Sequence, residues 1–174
     1  GTGQLINTGA DTLMLTGANT YSGGTTVAGG RLAGDAASLQ GAIANSAQVE
    51  FNQAAAGTYT GVISGTGQLI KTGSGVLTVT GANTYSGGTT VSGGRLAGST
   101  ASLQGAVANN AQVEFNQAAA GTYAGVMSGT GQLLKTGAGT LTVTAANTYS
   151  GGTVVLGGRL TGNTTAIQGA IANN

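Results

Sequence analysis

The residues that could take part in chemistry are few, and they recur 64 positions apart instead of clustering. The chain has no His and no Cys, and its five Lys and Arg residues face four Asp and Glu residues. The residues that recur are Arg31, Arg95 and Arg159, Glu50 and Glu114, and Lys71 and Lys135. The equivalent places of the Arg and Glu residues predict ion pairs between neighbouring segments, each worth at most about 1 kcal/mol if exposed. A regular polar stripe that binds a ligand is the alternative.

Known catalytic and ligand-binding patterns fail on these residues. Nucleophilic triads and acid–base catalysis have no His or Cys to use, so only a Lys could substitute. The segment 67–72 resembles a phosphate-binding loop, but that motif needs Gly directly before the Lys, and Ile70 stands there. Calcium needs several carboxylates in one loop, and no segment has two within ten residues. We therefore expect no catalytic, cofactor or metal site, and a strand that flanks a turn around Lys71.

Two acidic residues break the 64-residue pattern. Asp11 and Asp35 become Gly75 and Ser99 at the equivalent positions of the next unit. A catalytic site could use them in one unit only, as a carbohydrate-active β-helix would. A near-identical array with a single active unit is the least favoured alternative. We predict that the chain is not an enzyme.

The repeat defines the organisation of the chain. The segment that begins at Gly1 returns at Gly65 and at Gly129, which gives units 1–64, 65–128 and a partial unit 129–174. Because a repeat of this kind buries its apolar face only against its neighbours, the units are expected to form one continuous rod or stalk. The chain begins and ends inside a unit, so we expect it to be a fragment of a longer protein.

Composition excludes several classes of protein. There are 35 Gly and no Pro or Trp, and charged residues make up 5% of the chain, against about 25% in a typical globular domain. With a net charge of +1 no basic patch can be assembled, which argues against nucleic-acid binding. No apolar stretch approaches the roughly 20 residues of a membrane span. Disorder is disfavoured because Val, Leu and Ile recur at fixed places.

The apolar residues follow a period of two, which predicts strands. Leu77 and Val79 alternate with polar neighbours, so they should point inward while positions 76, 78 and 80 point outward. Short strands between glycine bends favour an all-β parallel β-helix, a β-solenoid with about three coils of 20 or 22 residues per unit. Identical residues would then lie three coils apart on one face, at about 14 Å. The predicted core combines one ladder with further inward residues: Leu5, Val27, Val49, Leu69, Val91, Val113, Leu133 and Val155, with Leu77, Val79, Leu141 and Val143.

Aromatic and polar residues at the glycine-rich bends are expected to be structural. The five tyrosines should pack at bends, with stacking against sugars as the alternative, and the recurring Asn residues should fix turns: Tyr21, Tyr59, Tyr85, Tyr123 and Tyr149, with Asn19, Asn83 and Asn147. Outward threonines could order water as ice-binding arrays do, but the pattern is interrupted in two of every three coils.

The segment 65–91, from Gly65-Thr66-Gly67-Gln68-Leu69 through Asn83-Thr84-Tyr85-Ser86-Gly87-Gly88 to Val91, resembles the autotransporter-associated β-strand repeat of Gram-negative type V secreted proteins. The match continues through Leu96, occurs three times and covers about half the chain. The resemblance implies a right-handed β-helix in a passenger region that is exported through an outer-membrane barrel and displayed outside the cell. It implies a stalk or adhesive role, and it supplies no catalytic residues.

We therefore expect a non-catalytic structural and adhesive module, without cofactors, in a secreted or surface-displayed adhesin. Low charge, absence of Pro and near-identical units predict self-association that survives high salt, as in cell aggregation or biofilm. Surface glycans or proteins are further possible partners. The alternative is a subunit of an extracellular matrix filament.

Overall fold

The alternation of apolar and polar residues produces short strands throughout. The computed structural model describes residues 1–174 and contains strands, turns and bends but no helix. The strands are β1 (Leu5–Asn7), β2 (Thr12–Met14), β3 (Thr25–Val27), β4 (Arg31–Gly34), β5 (Ile43–Asn45), β6 (Gln48–Asn52), β7 (Gly57–Tyr59), β8 (Ile63–Ser64), β9 (Gln68–Thr72), β10 (Val76–Val79), β11 (Thr89–Val91), β12 (Arg95–Gly98), β13 (Val107–Asn109), β14 (Gln112–Asn116), β15 (Gly121–Tyr123), β16 (Met127–Ser128), β17 (Gln132–Thr136), β18 (Thr140–Val143), β19 (Thr153–Val155), β20 (Arg159–Thr161) and β21 (Ile171–Asn173).

These strands stack into a three-sided parallel solenoid of about eight turns, which confirms the predicted fold class. Side 1 carries β1, β3, β5 and β8, and farther along β15, β18 and β20. Side 2 carries β2, β4, β6, β9, β11, β13 and β16, and side 3 carries β7, β10, β12, β14, β17, β19 and β21. At about 4.8 Å per turn, the rod is about 38 Å long.

On side 1, two successive turns of the rod have no strand, but hydrogen bonds continue across them. The Thr84 N–H donates to the Ile63 carbonyl at 2.9 Å, and the Asn83 N–H donates to the Ala101 carbonyl at 3.1 Å. The Asn83 side chain helps to bridge the same gap: it accepts from the Ile63 N–H at 2.7 Å and donates to the Ser102 carbonyl at 2.8 Å. This recurring Asn therefore supplies hydrogen bonds between turns where the strand ladder is broken.

Each sequence unit advances the chain by three and one-third turns. Strands β1, β3, β5 and β8 lie on side 1, their counterparts β9, β11, β13 and β16 lie on side 2, and β17, β19 and β21 lie on side 3. Equivalent residues of successive units therefore lie on successive sides of the rod. The expectation that identical residues share one face was wrong. Ten strand-length segments make one unit, and ten does not divide evenly among three sides.

The predicted ladder of core residues was also wrong in most of its steps. The pairs Val49–Leu69 and Val113–Leu133 are neighbours in adjacent turns, as predicted. Leu5, however, pairs with Thr25, and Val27 pairs with Asn7 and Asn45. The error arose because the turns differ in length, according to the corners that the chain rounds.

Further along the ladder, Val91 pairs with Lys71 and Asn109. Val155 pairs with Lys135 and Asn173. The proposed contacts of Val91 with Leu69 and Val113, and of Val155 with Leu133, are therefore absent from the ladder. Both valines instead occupy the second inward position of their strands, beside a buried polar residue.

One continuous apolar core fills the rod. It contains 25 buried residues drawn from all three units. Among the residues singled out from sequence, Leu5 lies half-buried in the first turn, and the other eleven are buried: Val27, Val49, Leu69, Leu77, Val79, Val91, Val113, Leu133, Leu141, Val143 and Val155. Phe51 packs on Tyr59 with ring centroids 4.9 Å apart. This pair recurs in the next unit.

The tyrosines pack at the corners. Tyr85 is buried and its hydroxyl pairs with the Thr89 hydroxyl at 2.8 Å, while the Tyr59 hydroxyl donates to the Gly41 carbonyl at 2.5 Å. Burial raises the pKa of Tyr59 and of Tyr85, so both stay protonated at neutral pH. Four of the five tyrosines are buried and Tyr21 is half-buried, which leaves no exposed ring for stacking against sugars.

Candidate functional site

A polar cleft lies on side 3 of the rod. Its volume is about 380 Å³, and it lies beside β10, β12 and β14. Thr78, Thr80, Ser99 and Asn116 line it with hydroxyl and amide groups, together with an Arg–Glu pair. The outward half of each strand supplies these side chains because Leu77 and Val79 take the inward positions.

The ion pair beneath this cleft joins adjacent turns. Arg95 Nη1 lies 3.2 Å from Glu114 Oε2, and Arg31 and Glu50 form the equivalent pair on side 2 at 3.0 Å. The Thr136 hydroxyl donates to the other Glu114 oxygen at 2.6 Å. The ion pairs predicted from the 64-residue spacing are therefore present. Because each carboxylate is already occupied on both oxygens, it is neutralised and poorly placed to act as a general base.

The two ion pairs differ in one contact. Arg31 Nε donates to the Gln48 side-chain oxygen at 3.2 Å. In the next unit, the Gln112 amide donates instead to Gln132 at 2.9 Å, and the buried Nε of Arg95 has no partner. The hydrogen bonds of these Arg and Gln side chains thus differ from unit to unit, while the Arg–Glu contact is kept.

The equivalent cleft on side 2 is smaller and more apolar. It encloses about 200 Å³, with Met14, Thr16, Asp35 and Asn52 in place of Thr78, Thr80, Ser99 and Asn116. Burial tends to raise the pKa of Asp35. Hydrogen bonds from the N–H and hydroxyl of Ser38 and from the Ala37 N–H outweigh that effect and lower it.

The two acidic residues that break the repeat are not brought together. Asp11 precedes β2, whereas Asp35 follows β4, so they lie at opposite ends of paired strands. Four residues at about 3.3 Å each separate those ends. Across the whole chain, no three His, Cys, Asp or Glu side chains lie close enough together to hold a metal ion. Asp11 and Asp35 therefore do not form the two-carboxylate geometry of a glycosidase, in which the groups lie about 5 to 9.5 Å apart.

Two lysines are buried in cages of backbone carbonyls. Lys71 and Lys135 have no exposed surface, although each carries an amino group. Lys71 Nζ donates to the carbonyls of Thr72 at 2.6 Å, Gly73 at 2.9 Å and Gly93 at 3.0 Å. Burial lowers the pKa of both lysines. The carbonyls of this cage come from two adjacent turns. The amino group therefore links the turns by hydrogen bonds and is unavailable to a ligand.

Sequence reasoning placed Lys71 correctly in a strand beside a turn but missed its burial. The signal was present. Lys71 lies two residues after the inward Leu69, and period two therefore places it inward as well. Its counterpart Asn7 in the first unit is also buried and donates to the Gly29 carbonyl at 3.2 Å.

The structure contains no apolar helix of the length needed to span a membrane.

The chain is 48% identical over 52 residues to the adhesin BmaC autotransporter of Brucella suis biovar 1 (strain 1330). That alignment covers 30% of this chain and 2% of the relative, so the chain spans a very small part of the length of that protein. No solved protein structure matches the chain.

The sequence pattern of the passenger-associated-transport-repeat family matches residues 5–33, 69–97 and 133–161. These segments begin at equivalent positions of the three units and make up half of the chain. They run from β1, β9 and β17 into β4, β12 and β20, respectively. The chain therefore belongs to the passenger-associated-transport-repeat family.

Proposed function

We propose that this chain is a non-catalytic rod segment of an autotransporter passenger, displayed outside the cell, where it binds copies of itself and contributes to adhesion. One observation supports this most directly. Three family repeats form a single unbroken parallel solenoid with a continuous core, and the same polar surface recurs along it. The name of the relative, an autotransporter adhesin, supports the adhesive role.

The surface is suited to contact with another copy. The net charge is +1, and Glu50 and Glu114 are both neutralised by an arginine. Little electrostatic repulsion therefore opposes the approach of two rods. One side measures about 38 Å by 16 Å, or about 600 Å² per partner, which reaches the lower end of stable interfaces. Because this area grows with the number of units, longer arrays should associate more tightly.

The polar cleft favours a second class of partner, a neutral glycan. Hydroxyl and amide groups of Thr78, Ser99 and Asn116 surround an ion pair without net charge, which suits hydrogen bonding to a polyhydroxylated ligand. Burial of the tyrosines removes the aromatic platform that often strengthens such binding. Contact between copies is therefore the principal proposal.

The experiment compares the purified chain with bacteria that display it. Sedimentation velocity over a hundredfold concentration range, in 0.15 M and 1 M salt, should show self-association at both salt concentrations. Bacteria displaying the chain should settle faster than bacteria displaying an unrelated rod of similar length. Strictly monomeric protein together with unchanged settling would contradict the proposal. Release of reducing ends from a panel of polysaccharides would contradict its non-catalytic part.

A further inference from the structure

The most informative property of the surface is that it turns with the sequence repeat. Thr26, Thr90 and Val154 are equivalent residues at the outward centres of β3, β11 and β19. Those strands lie on sides 1, 2 and 3, respectively. Arg31, Arg95 and Arg159 likewise occupy sides 2, 3 and 1.

The repeat therefore distributes one surface over all three sides. One sequence unit covers three and one-third turns, so the same residue returns to the same side only after three units, or ten turns. That distance is about 48 Å along the rod. Neighbouring units therefore face in different directions. In a three-unit array, every side carries one copy of the same outward strand surface.

We propose that each rod binds other copies of this chain on all three sides, so that self-association produces branched bundles instead of closed dimers. The proposal rests on the self-association set out above. A dimer formed through one patch is closed because each partner uses the same surface and no equivalent surface is left. Here, a contact on side 2 leaves equivalent strands free on sides 1 and 3. Growth can then continue in two further directions.

A second copy is the occupant that the geometry favours. Each side offers about 600 Å² of surface, which suits a straight rod laid alongside better than a compact partner. The side-chain rows across it are mostly small and uncharged, as in Thr26, Ala44 and Ser64 on side 1. Two neighbours bound to one rod also hold each other at high local concentration, so bundles should strengthen with size.

The test places one arginine on each side. The variants are Thr26→Arg, Thr90→Arg and Val154→Arg, alone and combined, at partly exposed outward positions. The matched control is Ser22→Arg with Ser86→Arg and Ser150→Arg, which adds the same charge at equivalent exposed corners. Circular dichroism and thermal unfolding establish that every variant is folded. Sedimentation velocity and electron microscopy measure the size of the assemblies.

The wild-type chain should grow beyond dimers as its concentration rises, and each single variant should still form assemblies, of reduced mass. Each double variant should stop at dimers, the triple variant should be monomeric, and the corner control should match the wild type. Loss of all assembly in any single variant would overturn the inference, and so would wild-type growth that stops at dimers. A monomeric wild type would overturn both this inference and the proposed self-association.

Discussion

The buried lysine gives the most specific prediction about what holds adjacent turns together. Replacing Lys71 with Met keeps the length and apolar stem of the side chain but removes the amino group. The carbonyls of Gly73 and Gly93 then lose the only protein donor that reaches them. The Thr72 carbonyl keeps a second donor, the Gln53 N–H at 3.0 Å.

The expected cost follows from those two carbonyls. A buried acceptor left without a donor costs about 1–3 kcal/mol. The loss here is partly offset because Gly73 and Gly93 are only half-buried and because Met carries no charge to desolvate. We therefore expect Lys71→Met to lower the free energy of unfolding by about 2–4 kcal/mol. With a urea m-value of about 1–3 kcal/mol/M, the midpoint should fall by about 1–2 M.

Urea unfolding followed by circular dichroism and tyrosine fluorescence measures this difference. Lys71→Asn should cost less than Lys71→Met because Asn7, at the equivalent place, still donates to a glycine carbonyl. Lys135→Met should behave like Lys71→Met, since its amino group contacts the equivalent carbonyls of Thr136, Gly137 and Gly157. A midpoint change below about 0.3 M at pH 7 for both Met variants would refute the reasoning.

The same lysines predict a pH dependence. Burial lowers their pKa in the folded state, so between that pKa and the ordinary value of 10.5 the unfolded chain binds more protons than the folded chain. Stability should therefore rise with pH across this window. The rise should disappear when Lys71 and Lys135 are both replaced with Met. An identical pH profile for this double variant and the wild type would contradict the assigned direction.

Three further predictions concern the interior, a glycine and an acid. Val113→Asp should lower the free energy of unfolding by several kcal/mol, because Val113 is buried between Leu96 and Leu133. Thr78→Asp, on the outward side, should change this free energy little. Equal losses of stability would contradict the assignment of inward and outward positions. Gly65→Ala should lower the melting temperature far more than Gly157→Ala. Gly65 has φ of 100° and a Cβ there would clash with the Asn45 carbonyl, whereas a Cβ at Gly157 would lie 3.5 Å from its nearest neighbour. Equal shifts in melting temperature would contradict this explanation. Because the pKa of Asp35 is lowered in the folded state, its ionised carboxylate should stabilise the fold, and this stabilisation should be lost as pH falls through that pKa. Asp35→Ser should therefore make stability less dependent on pH in the acid range. An unchanged acid-range profile would exclude this role of Asp35.

The sequence alone was sufficient for the fold class and for the inside and outside of individual strands. Leu77 and Val79 alternate with polar residues, and alternation states directly which side of a strand is buried. The Arg95–Glu114 pair and the packed tyrosines could also be predicted, because these residues recur at equivalent places in each unit.

The relation between turns could not be predicted in the same way. A ladder depends on the number of residues in each turn, and that number depends on corner geometry. For example, the corner after Gly34 forms a tight turn in which the Leu39 N–H donates to the Asp35 carbonyl at 3.0 Å. The carbonyl cage around Lys71 shares this dependence, since Gly93 belongs to the following turn. The corner is fixed by hydrogen bonds over four residues and the cage by a contact 22 residues away, and the alternation of apolar and polar residues specifies neither.

Successive units face successive sides of the rod, and the inference of branched bundles depends on this arrangement. Spin labels at Thr26 and Thr90, measured by pulsed electron–electron double resonance on the folded monomer, test it directly. The structure places these equivalent residues on sides 1 and 2, about 16 Å apart along the axis and displaced across a core about 10 Å thick. The structure predicts a distance of about 20 Å or more. A narrow distribution at about 14 Å, the spacing of three turns along one side, would contradict it.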